Sequence, residues 1–367
     1  MPSLVPPPHV VQRLADVRAA MKAHNVDGLV VTHLPSIRYL FGFSGSMATA
    51  IITRRKVLFV TNDLYDVQVR NEVYPLDGLT IAINRDTWGA IASSGICRTV
   101  KNMGFEPGRI TVAGLKAIRK AVAPAKCVEV PSLIEPITRV KSASEIKSIA
   151  KAAAIVSTAY ERMLSAVRPG DREVDVANYL ATVTRELGSQ KDAFDIIVVG
   201  GQRSAMPHGR ASTAKLKKGD VVTVDFGACV DGLHSDMTRT FCIGKPSKKI
   251  FEVFSVLYEA HLAALDAATA GRGAAQLDAA ARDVITKAGY GDYFRHSLGH
   301  GLGYEVHEWP RISYANKTET IPANCVITIE PGIYLPGEFG MRIEDDVVVT
   351  TGAASILTTA PRELVVV

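Results

Sequence analysis

The second half of the chain contains a two-residue turn signal, Asp231-Gly232, between two largely apolar segments, VTVDFGACV and LHSDMTRTF. Asp-Gly between such segments is a strong signal for a tight β-hairpin, because both residues tolerate the left-handed backbone that this turn requires. We therefore predict a hairpin in which Val230 pairs with Leu233. This local feature fixes the pairing register of two strands before any tertiary contact is considered.

The same register predicts where two carboxylates lie. Continuing outward from the turn, Gly227 pairs with Asp236, and Asp225 lies on the same face as Asp236, one diagonal step away. Two carboxylates at this spacing repel each other unless a cation lies between them. The alternative is a pair of solvent-facing strand residues, but VTVDFGA is too apolar for a freely exposed strand. The pattern favours a metal site.

A second pair of carboxylates follows in ITIEPGIYLPGEFGMRIEDD, where Glu330 and Glu344 are symmetric about Gly337. This symmetry predicts that they face each other, although the longer LPGEFG connection fixes the register less tightly than Asp-Gly does. Arg342 shares the face of Glu344 and is placed to neutralise or orient a carboxylate. For Asp345-Asp346 we expect an outer or surface role.

Three histidines lie in Gly- or Pro-rich segments near these strands: His300 in SLGHGLG, His307 after it, and His208 in AMPHGR. One imidazole among oxygen ligands suits a divalent cation, and His300 with four carboxylates is too large a set for one structural zinc ion. Four negative charges balance two divalent cations. The composition of this set predicts a two-metal hydrolase.

Helical periodicity surrounds the two carboxylate pairs. Ser142 and Glu145 form a capping box, and the helix that follows ends before Arg168-Pro169-Gly170; a second helix is predicted over 173–187. A similar helix pair is predicted over 248–270 and 277–288. The second half therefore consists of two related αα-ββ units that enclose one site.

The first part of the chain alternates helix-like and strand-like segments, which is typical of a small α/β domain. We predict a helix over 10–25 and strands at DGLVVTH, MATAIIT, KVLFVT, LTIAI, ITVAG and CVEVP. PSLIEPITRVKSAS, with two prolines, reads as a linker. The predicted domains are residues 1–132 and 140–367, and the fold class is α/β (α+β).

Charge, cysteine content and the length of apolar runs disfavour several classes of protein. The 367 residues carry a net charge of +5 without a long Lys/Arg run, which disfavours nucleic acid as a partner. The five cysteines are scattered and lack a CxxC spacing, as in a reduced protein. No apolar run approaches the 18 residues of a membrane span, so we expect a cytoplasmic protein.

These segments resemble the pita-bread metallopeptidase superfamily, specifically its Xaa-Pro dipeptidase (prolidase) and aminopeptidase P group. Three motifs carry the resemblance in order: VDFGACVDGLHSDMTRTF, HSLGHGLGYEVHEWPR and ITIEPGIYLPGEFGMRIEDD. HLPSIRYLFGFSGS, in the first domain, is similar to the creatinase/prolidase N-terminal domain. The resemblance implies a pita-bread catalytic domain over residues 140–367.

The resemblance also implies a ligand set for two divalent cations. Asp225 would chelate one ion, Asp236 and Glu344 would bridge both, and His300 and Glu330 would complete the second. Mn, Co, Fe and Zn all suit these ligands, because selectivity among such metals depends largely on availability. Of the four metals, Mn is favoured. A homodimer is a further expectation from the resemblance.

Further roles follow for residues around the ligands. His307 would contact the substrate or stabilise the tetrahedral intermediate, His208 would neighbour the site, and Arg342 would stand beside the bridging glutamate. Tyr334 and Arg311 match positions of substrate contacts. Glu330 is the candidate proton shuttle, since a carboxylate on a single metal keeps one oxygen facing the water.

The predicted reaction is hydrolysis of the Xaa-Pro bond, with a metal-bridging hydroxide as nucleophile. This bond is a tertiary amide without an N–H, and a dimetal centre polarises its carbonyl directly. HEWPR and the short first domain favour a dipeptidase; the alternative is an aminopeptidase P that acts on longer peptides. A metal-free creatinase-like enzyme or a non-catalytic relative is disfavoured, because all five ligands are present. A methionine aminopeptidase usually lacks such a first domain.

Overall fold

The structure is a computed structural model that describes residues 5–367. The chain divides into two compact units, one ending at Thr138 and one running from Arg139 to Val367. The described helices of the first unit are α1 (Pro8–Ala23), α2 (Leu34–Phe41), α3 (Asp66–Glu72), α4 (Thr87–Ser94), α5 (Val112–Val122) and α6 (Glu135–Thr138). Its strands are β1 (Gly28–Val31), β2 (Thr49–Thr53), β3 (Val57–Thr61), β4 (Leu79–Ile83), β5 (Asn102–Phe105) and β6 (Lys126–Glu129).

The strands of this unit form a mixed sheet in the order β4-β3-β2-β1-β5-β6. β2 is antiparallel to both β1 and β3, whereas the outer pairs are parallel. Residues such as Val30, Ile51 and Val60 are buried against Ile91 of α4 and Ile118 of α5. Strands β1, β2 and β3 have continuous apolar sequences because both faces of these strands are covered.

One predicted strand is wrong. The segment ITVAG begins helix α5, and its Thr111 is the N-cap, whose Oγ1 accepts a hydrogen bond from the backbone N–H of Gly114 at 3.1 Å. A threonine ahead of a helix satisfies one of the unpaired N–H groups of the first turn, and this outweighs the β propensity of the segment. The strand of this region is β5 (Asn102–Phe105), which precedes the segment and which the apolar pattern did not predict.

The second unit contains helices α7 (Ala143–Ala166), α8 (Glu173–Glu186), α9 (Lys248–Ala267) and α10 (Ala274–Lys287). Its strands are β7 (Ile197–Gly200), β8 (Val221–Phe226), β9 (Cys229–Val230), β10 (Leu233–His234), β11 (Met237–Cys242), β12 (Gly299–Gly301), β13 (Glu308–Ile312), β14 (Val326–Ile329), β15 (Gly332–Leu335), β16 (Phe339–Arg342), β17 (Asp345–Val348), β18 (Ser355–Ile356) and β19 (Val365–Val366). The predicted capping box of Ser142 and Glu145 is confirmed at the start of α7.

The two αα-ββ units of the prediction are confirmed as two helix pairs, each packed on its own strands. Helices α7 and α8 bury an apolar cluster against β8 and β11, in the sheet ordered β19-β11-β8-β7. Helices α9 and α10 bury another against strands that include β14 and β17, in the sheet ordered β13-β12-β14-β17-β18. Within residues 5–367 no helix is long and apolar enough to span a membrane.

Candidate metal centre and active site

The first hairpin has the predicted register. Asp231 and Gly232 have φ values of 53° and 76°, the left-handed pair of a tight turn, and Val230 pairs with Leu233. Beyond the turn the same register resumes, with Asp225 opposite Thr238. Asp225 and Asp236 are therefore one diagonal step apart on one face, in a buried pair of strands.

The second hairpin is also symmetric about Gly337, whose φ is 77°. Leu335 pairs with Phe339, and the pairing continues to Gly332 opposite Arg342. Glu330 and Glu344 lie two residues beyond that last pair, one on each strand. The register predicted across the longer connection is confirmed.

The two hairpins and strand β12 bring their ligand-type side chains together. Oxygen atoms of Asp236 and Glu344 and a ring nitrogen of His300 all lie within 4.8 Å of one another. His300 Nε2 is 3.7 Å from Asp236 Oδ2 and 3.4 Å from Glu330 Oε1. Asp225 reaches the same cluster through Arg342, whose Nη2 donates to Asp225 Oδ2 at 2.6 Å.

Two observations test whether this cluster suits a cation. Asp225 Oδ1 and Asp236 Oδ1 are buried and lack a hydrogen-bond donor among residues 5–367. Burial, followed by the negative charge of neighbouring carboxylates, raises the pKa of Asp236 and of Glu344 well above the ordinary range. Burial also raises the pKa of Glu330 to about 8, although Arg342 opposes the shift. Buried, mutually repelling carboxylates with unsatisfied oxygens fit divalent cations.

The surroundings of His300 favour the neutral imidazole, which is the form that can bind a cation. Burial, and then His307, lower its pKa to about 3. Its Nδ1 lies 3.0 Å from the carbonyl oxygen of Gly301, which favours the tautomer that donates there and leaves the Nε2 lone pair facing the carboxylates. Only glycine fits beside it: a Cβ on Gly299 would lie 2.0 Å from the backbone oxygen of Thr328.

A buried hydrogen-bond network holds the carboxylates in place. Arg342, which is 3% exposed, donates from Nε to Thr238 Oγ1 at 2.8 Å and from Nη1 to Tyr334 OH at 2.7 Å, besides its ion pair with Asp225. The Thr238 hydroxyl in turn donates to Glu344 Oε2 at 2.7 Å. Arg342 thus neutralises Asp225, and Thr238 connects the two hairpins.

Two members of this network were missed by sequence reasoning. Thr238 lies two residues after Asp236 on the same strand, so strand parity predicts a shared face and would have identified it. His296, whose Nε2 is 3.0 Å from the Tyr334 hydroxyl, carries no signal beyond its place at the start of HSLGH. Burial, and then Arg342, lower the pKa of His296 to about 3, so its ring is neutral.

The other predicted site residues lie around the cluster. The ring of His307 is 4.4 Å from that of His300, centroid to centroid, and its pKa is lowered by partial burial and by His208. His208 is exposed in the loop that follows β7. Arg311 pairs with His300 across β12 and β13, and its exposed side chain donates to Ser297 Oγ at 3.2 Å.

The surface alternative for Asp345 and Asp346 is wrong, because both side chains are 0% exposed. Asp346 Oδ2 accepts the backbone N–H of Asp236 at 3.0 Å. Asp345 is paired with Arg239, which also donates to the backbone oxygen of Glu344. Consecutive residues of β17 point to opposite faces, and both faces are covered here.

Metal removal is expected to destabilise the fold more at alkaline than at acidic pH. The pKa of Glu330 is raised from 4.5 to about 8, and those of Asp236 and Glu344 are also raised, so the metal-free fold retains protons that the unfolded chain releases. The contribution of these carboxylates to its stability is therefore fully present below about pH 4.5 and is lost as the pH rises towards 8. Added Mn²⁺ should raise the melting temperature by more at pH 8 than at pH 6. A calorimetric shift that is equal at both pH values would contradict this expectation.

A buried cluster of carboxylates and one histidine, between two pseudo-repeated units, fits a metal-dependent hydrolase. Residues 147–351 match Metallopeptidase family M24, and residues 13–139 match the Creatinase/Prolidase N-terminal domain. The chain belongs to metallopeptidase family M24, so the expectation drawn from its motifs is confirmed.

Xaa-Pro peptidases resemble the chain over most of its length. It is 39% identical to the Xaa-Pro dipeptidase of Pyrococcus furiosus over 269 residues, which are 73% of this chain and 77% of the relative. The solved Xaa-Pro dipeptidase from Bacillus anthracis superposes with a TM-score of 0.94 at 36% identity, covering 98% of this chain and 100% of that one. The X-Pro aminopeptidase from Thermotoga maritima superposes with a TM-score of 0.87 at 35% identity, covering 95% and 100%.

Proposed function

We propose that this chain is a dinuclear-metal Xaa-Pro dipeptidase whose catalytic domain spans residues 140–367, with residues 1–132 as a separate N-terminal domain. The observation that supports it most is the convergence of Asp236, His300 and Glu344 within 4.8 Å. Glu330 lies within 3.4 Å of His300, and two carboxylate oxygens of the cluster have no donor among the described residues. The similarity to Xaa-Pro dipeptidases supports a dipeptide with proline in second position as the substrate.

The five residues would hold two divalent cations. Asp225 would bind one ion, Asp236 and Glu344 would bridge both, and His300 and Glu330 would complete the second. Four carboxylates balance the charge of two such ions, and the ligand set suits Mn, Co, Fe or Zn, with Mn as our choice. When bound, the metals polarise the scissile carbonyl and lower the pKa of the attacking water.

The protein groups would orient the substrate and move its protons. Glu330 takes the proton of the attacking water on a carboxylate oxygen and passes it to the proline nitrogen, which needs a proton to leave. His307, exposed beside His300, donates a hydrogen bond to the developing oxyanion. Burial, and then His208, lower the pKa of His307, and this proximity supports a role for both imidazoles in binding the substrate.

Arg342, Tyr334 and Arg311 serve binding and orientation. Arg342 donates from Nη2 to Asp225 Oδ2 at 2.6 Å and so holds that carboxylate in position at the cluster. Tyr334, 3% exposed, would act mainly through its hydrogen bond to Arg342. Arg311, exposed across the strand from His300, is available to bind the carboxylate of a dipeptide.

An aminopeptidase P activity on longer peptides is the second candidate, favoured by the similarity to the X-Pro aminopeptidase. The two activities differ in whether a free carboxylate must follow proline. A charged hydrogen bond contributes about 1.5–3 kcal/mol, which corresponds to roughly a ten- to hundredfold preference.

The choice is tested by incubating the Mn²⁺-loaded enzyme with Xaa-Pro and Xaa-Pro-Xaa peptides of the same first residue. We expect kcat/KM for the dipeptide to exceed that for the tripeptide by about ten- to hundredfold. Comparable rates would favour the aminopeptidase, and cleavage of neither would refute the proposed function. A dipeptide with alanine in place of proline is the control for proline selectivity.

We further propose a cytoplasmic homodimer. No disulfide bond is found among residues 5–367, as in a reducing compartment, although the chain has five cysteines: Cys97, Cys127, Cys229, Cys242 and Cys325. Light scattering on the purified protein measures the dimer directly, and a monomer mass would contradict it.

A further inference from the structure

Glu173, at the first position of α8, is a buried carboxylate outside the metal cluster. It is 1% exposed, and both of its oxygens accept hydrogen bonds. Oε1 accepts the N–H of Gly200 at 2.9 Å, and Oε2 accepts the N–H and the hydroxyl of Ser212 at 3.0 and 2.6 Å. The Nε of Arg203 donates to both oxygens at 3.0 Å.

These donors lie at the two ends of one loop, 200–212, which carries His208. Glu173 therefore binds the start and the end of the loop, while Arg203 also donates from Nη2 to the backbone oxygen of Arg210 at 2.7 Å. A carboxylate that accepts several charged and neutral donors in a buried position is a rigid anchor. Within the loop, Met206 and His208 are exposed.

The same loop contacts the strand that carries Arg342. The N–H of Gly340 donates to Ser204 Oγ at 2.9 Å, and Arg342 Nη1 donates to the backbone oxygen of Pro207 at 3.2 Å. A Cβ on Gly340 would lie 2.3 Å from the backbone oxygen of Ser204, so loop and strand are in close contact. Movement of the loop would thus displace His208 and, beside it, the carbonyl oxygen of Pro207 that accepts from Arg342.

We propose that Glu173, through Arg203, is a positioning residue that fixes the 200–212 loop so that His208 faces the substrate. Glu173 is outside the proposed ligand set, and its effect on the reaction would pass through His208. This inference rests on the proposed function, because the role of His208 is part of that proposal. A displacement of about 1 Å in a positioned group is enough to lower kcat/KM by one to two orders of magnitude.

The test uses the full-length, Mn²⁺-loaded enzyme with Glu173→Gln, which replaces one acceptor oxygen by a donor. Arg203→Met, on the more exposed side of the pair, is the second variant if Glu173→Gln folds poorly. Asp175→Asn is the matched control. Asp175 lies two residues further along the same helix turn, and in the described part of the chain its side chain hydrogen-bonds to exposed Arg172. Each change is also made in a His208→Ala background.

We expect Glu173→Gln or Arg203→Met to lower kcat/KM on an Xaa-Pro dipeptide about tenfold in the wild-type background and by less than about twofold with His208→Ala. Asp175→Asn should leave both values unchanged. A full tenfold loss that persists with His208→Ala would overturn the inference, because the carboxylate would then act by a route other than His208.

A readout independent of catalysis separates this inference from the proposed function. Trypsin should cleave after Arg210 faster in Glu173→Gln than in the wild type or Asp175→Asn, as followed by mass spectrometry. Unchanged cleavage would refute the anchoring role even in an active enzyme. A wild type that cleaves no Xaa-Pro dipeptide would refute the proposed function, while the trypsin result would still decide whether Glu173 holds the loop.

Discussion

Asp236→Asn is expected to abolish Xaa-Pro cleavage and to remove at least one bound metal per chain. The amide oxygen is a weaker ligand than a carboxylate, and the proposed bridging position needs an oxygen for each ion. The metals contribute several kcal/mol to stabilising the transition state, so we expect kcat/KM to fall by at least about a thousandfold. Metal analysis of the dialysed protein and dipeptide turnover measure the two effects separately.

Asp231→Asn is the matched control for this experiment. It is the same isosteric change on the same hairpin, and asparagine tolerates the φ of 53° at this turn position. Asp231 accepts a hydrogen bond from Ser148 Oγ at 2.8 Å. The Asp231→Asn variant should retain its metal and its activity. If Asp236→Asn retained full metal content and activity, the proposed ligand assignment would be wrong.

Asp345→Asn is expected to be the most destabilising of the substitutions considered. Asp345, 0% exposed, pairs with Arg239 Nη2 at 2.7 Å, lies 3.3 Å from His261 Nε2, and accepts from Arg362. A neutral amide would leave the guanidinium groups without their buried counter-charge. Breaking a buried ion pair from one side costs about 3–5 kcal/mol of unfolding free energy, which urea or guanidinium titration at pH 7 would measure.

The loss of stability caused by Asp345→Asn should depend on pH. Burial alone would raise the pKa of Asp345, but Arg239, His261 and Arg362 together outweigh it and lower the pKa from 3.8 to about 2. A depressed folded-state pKa contributes stability above the unfolded value, and this contribution is lost as the pH falls from about 3.8 towards 2. The difference between wild type and Asp345→Asn should shrink over that range.

Asp175→Asn, which removes an exposed pair with Arg172, serves as the stability control and should leave the unfolding free energy nearly unchanged, because water screens the pair. If Asp345→Asn lowered the unfolding free energy as little as Asp175→Asn does, Arg239 and Arg362 would have found other partners. Arg239 already donates to the backbone oxygens of Thr238 and Ala360, so this comparison measures the charge pairing itself.

Both hairpin registers were predictable because their turns are local. Asp231-Gly232 and Gly337 occupy left-handed turn positions, and strand parity then places Asp225 and Asp236 on one face whatever the rest of the chain does. The helix pairs were predictable for a similar reason, since apolar periodicity and the Ser142 capping box act within one element.

The errors concern segments where burial or capping decides the outcome. ITVAG has the composition of a strand, yet Thr111 caps a helix there. Asp345-Asp346 has the composition of a surface turn, yet both residues are buried because Arg239 and the backbone N–H of Asp236 supply partners from another hairpin. Such partners lie about a hundred residues away in sequence and leave no local pattern.

The sequence by itself determined which residues could bind metal and on which face of each hairpin they lie, because turn type and the two-residue period of a strand are local properties. Only the tertiary structure decided that the hairpins meet. That meeting depends on Thr238 and Arg342, which connect Asp225 on one hairpin to Glu344 on the other through side-chain hydrogen bonds. Long-range hydrogen bonds and burial, rather than local propensity, turn four separate carboxylates into one centre.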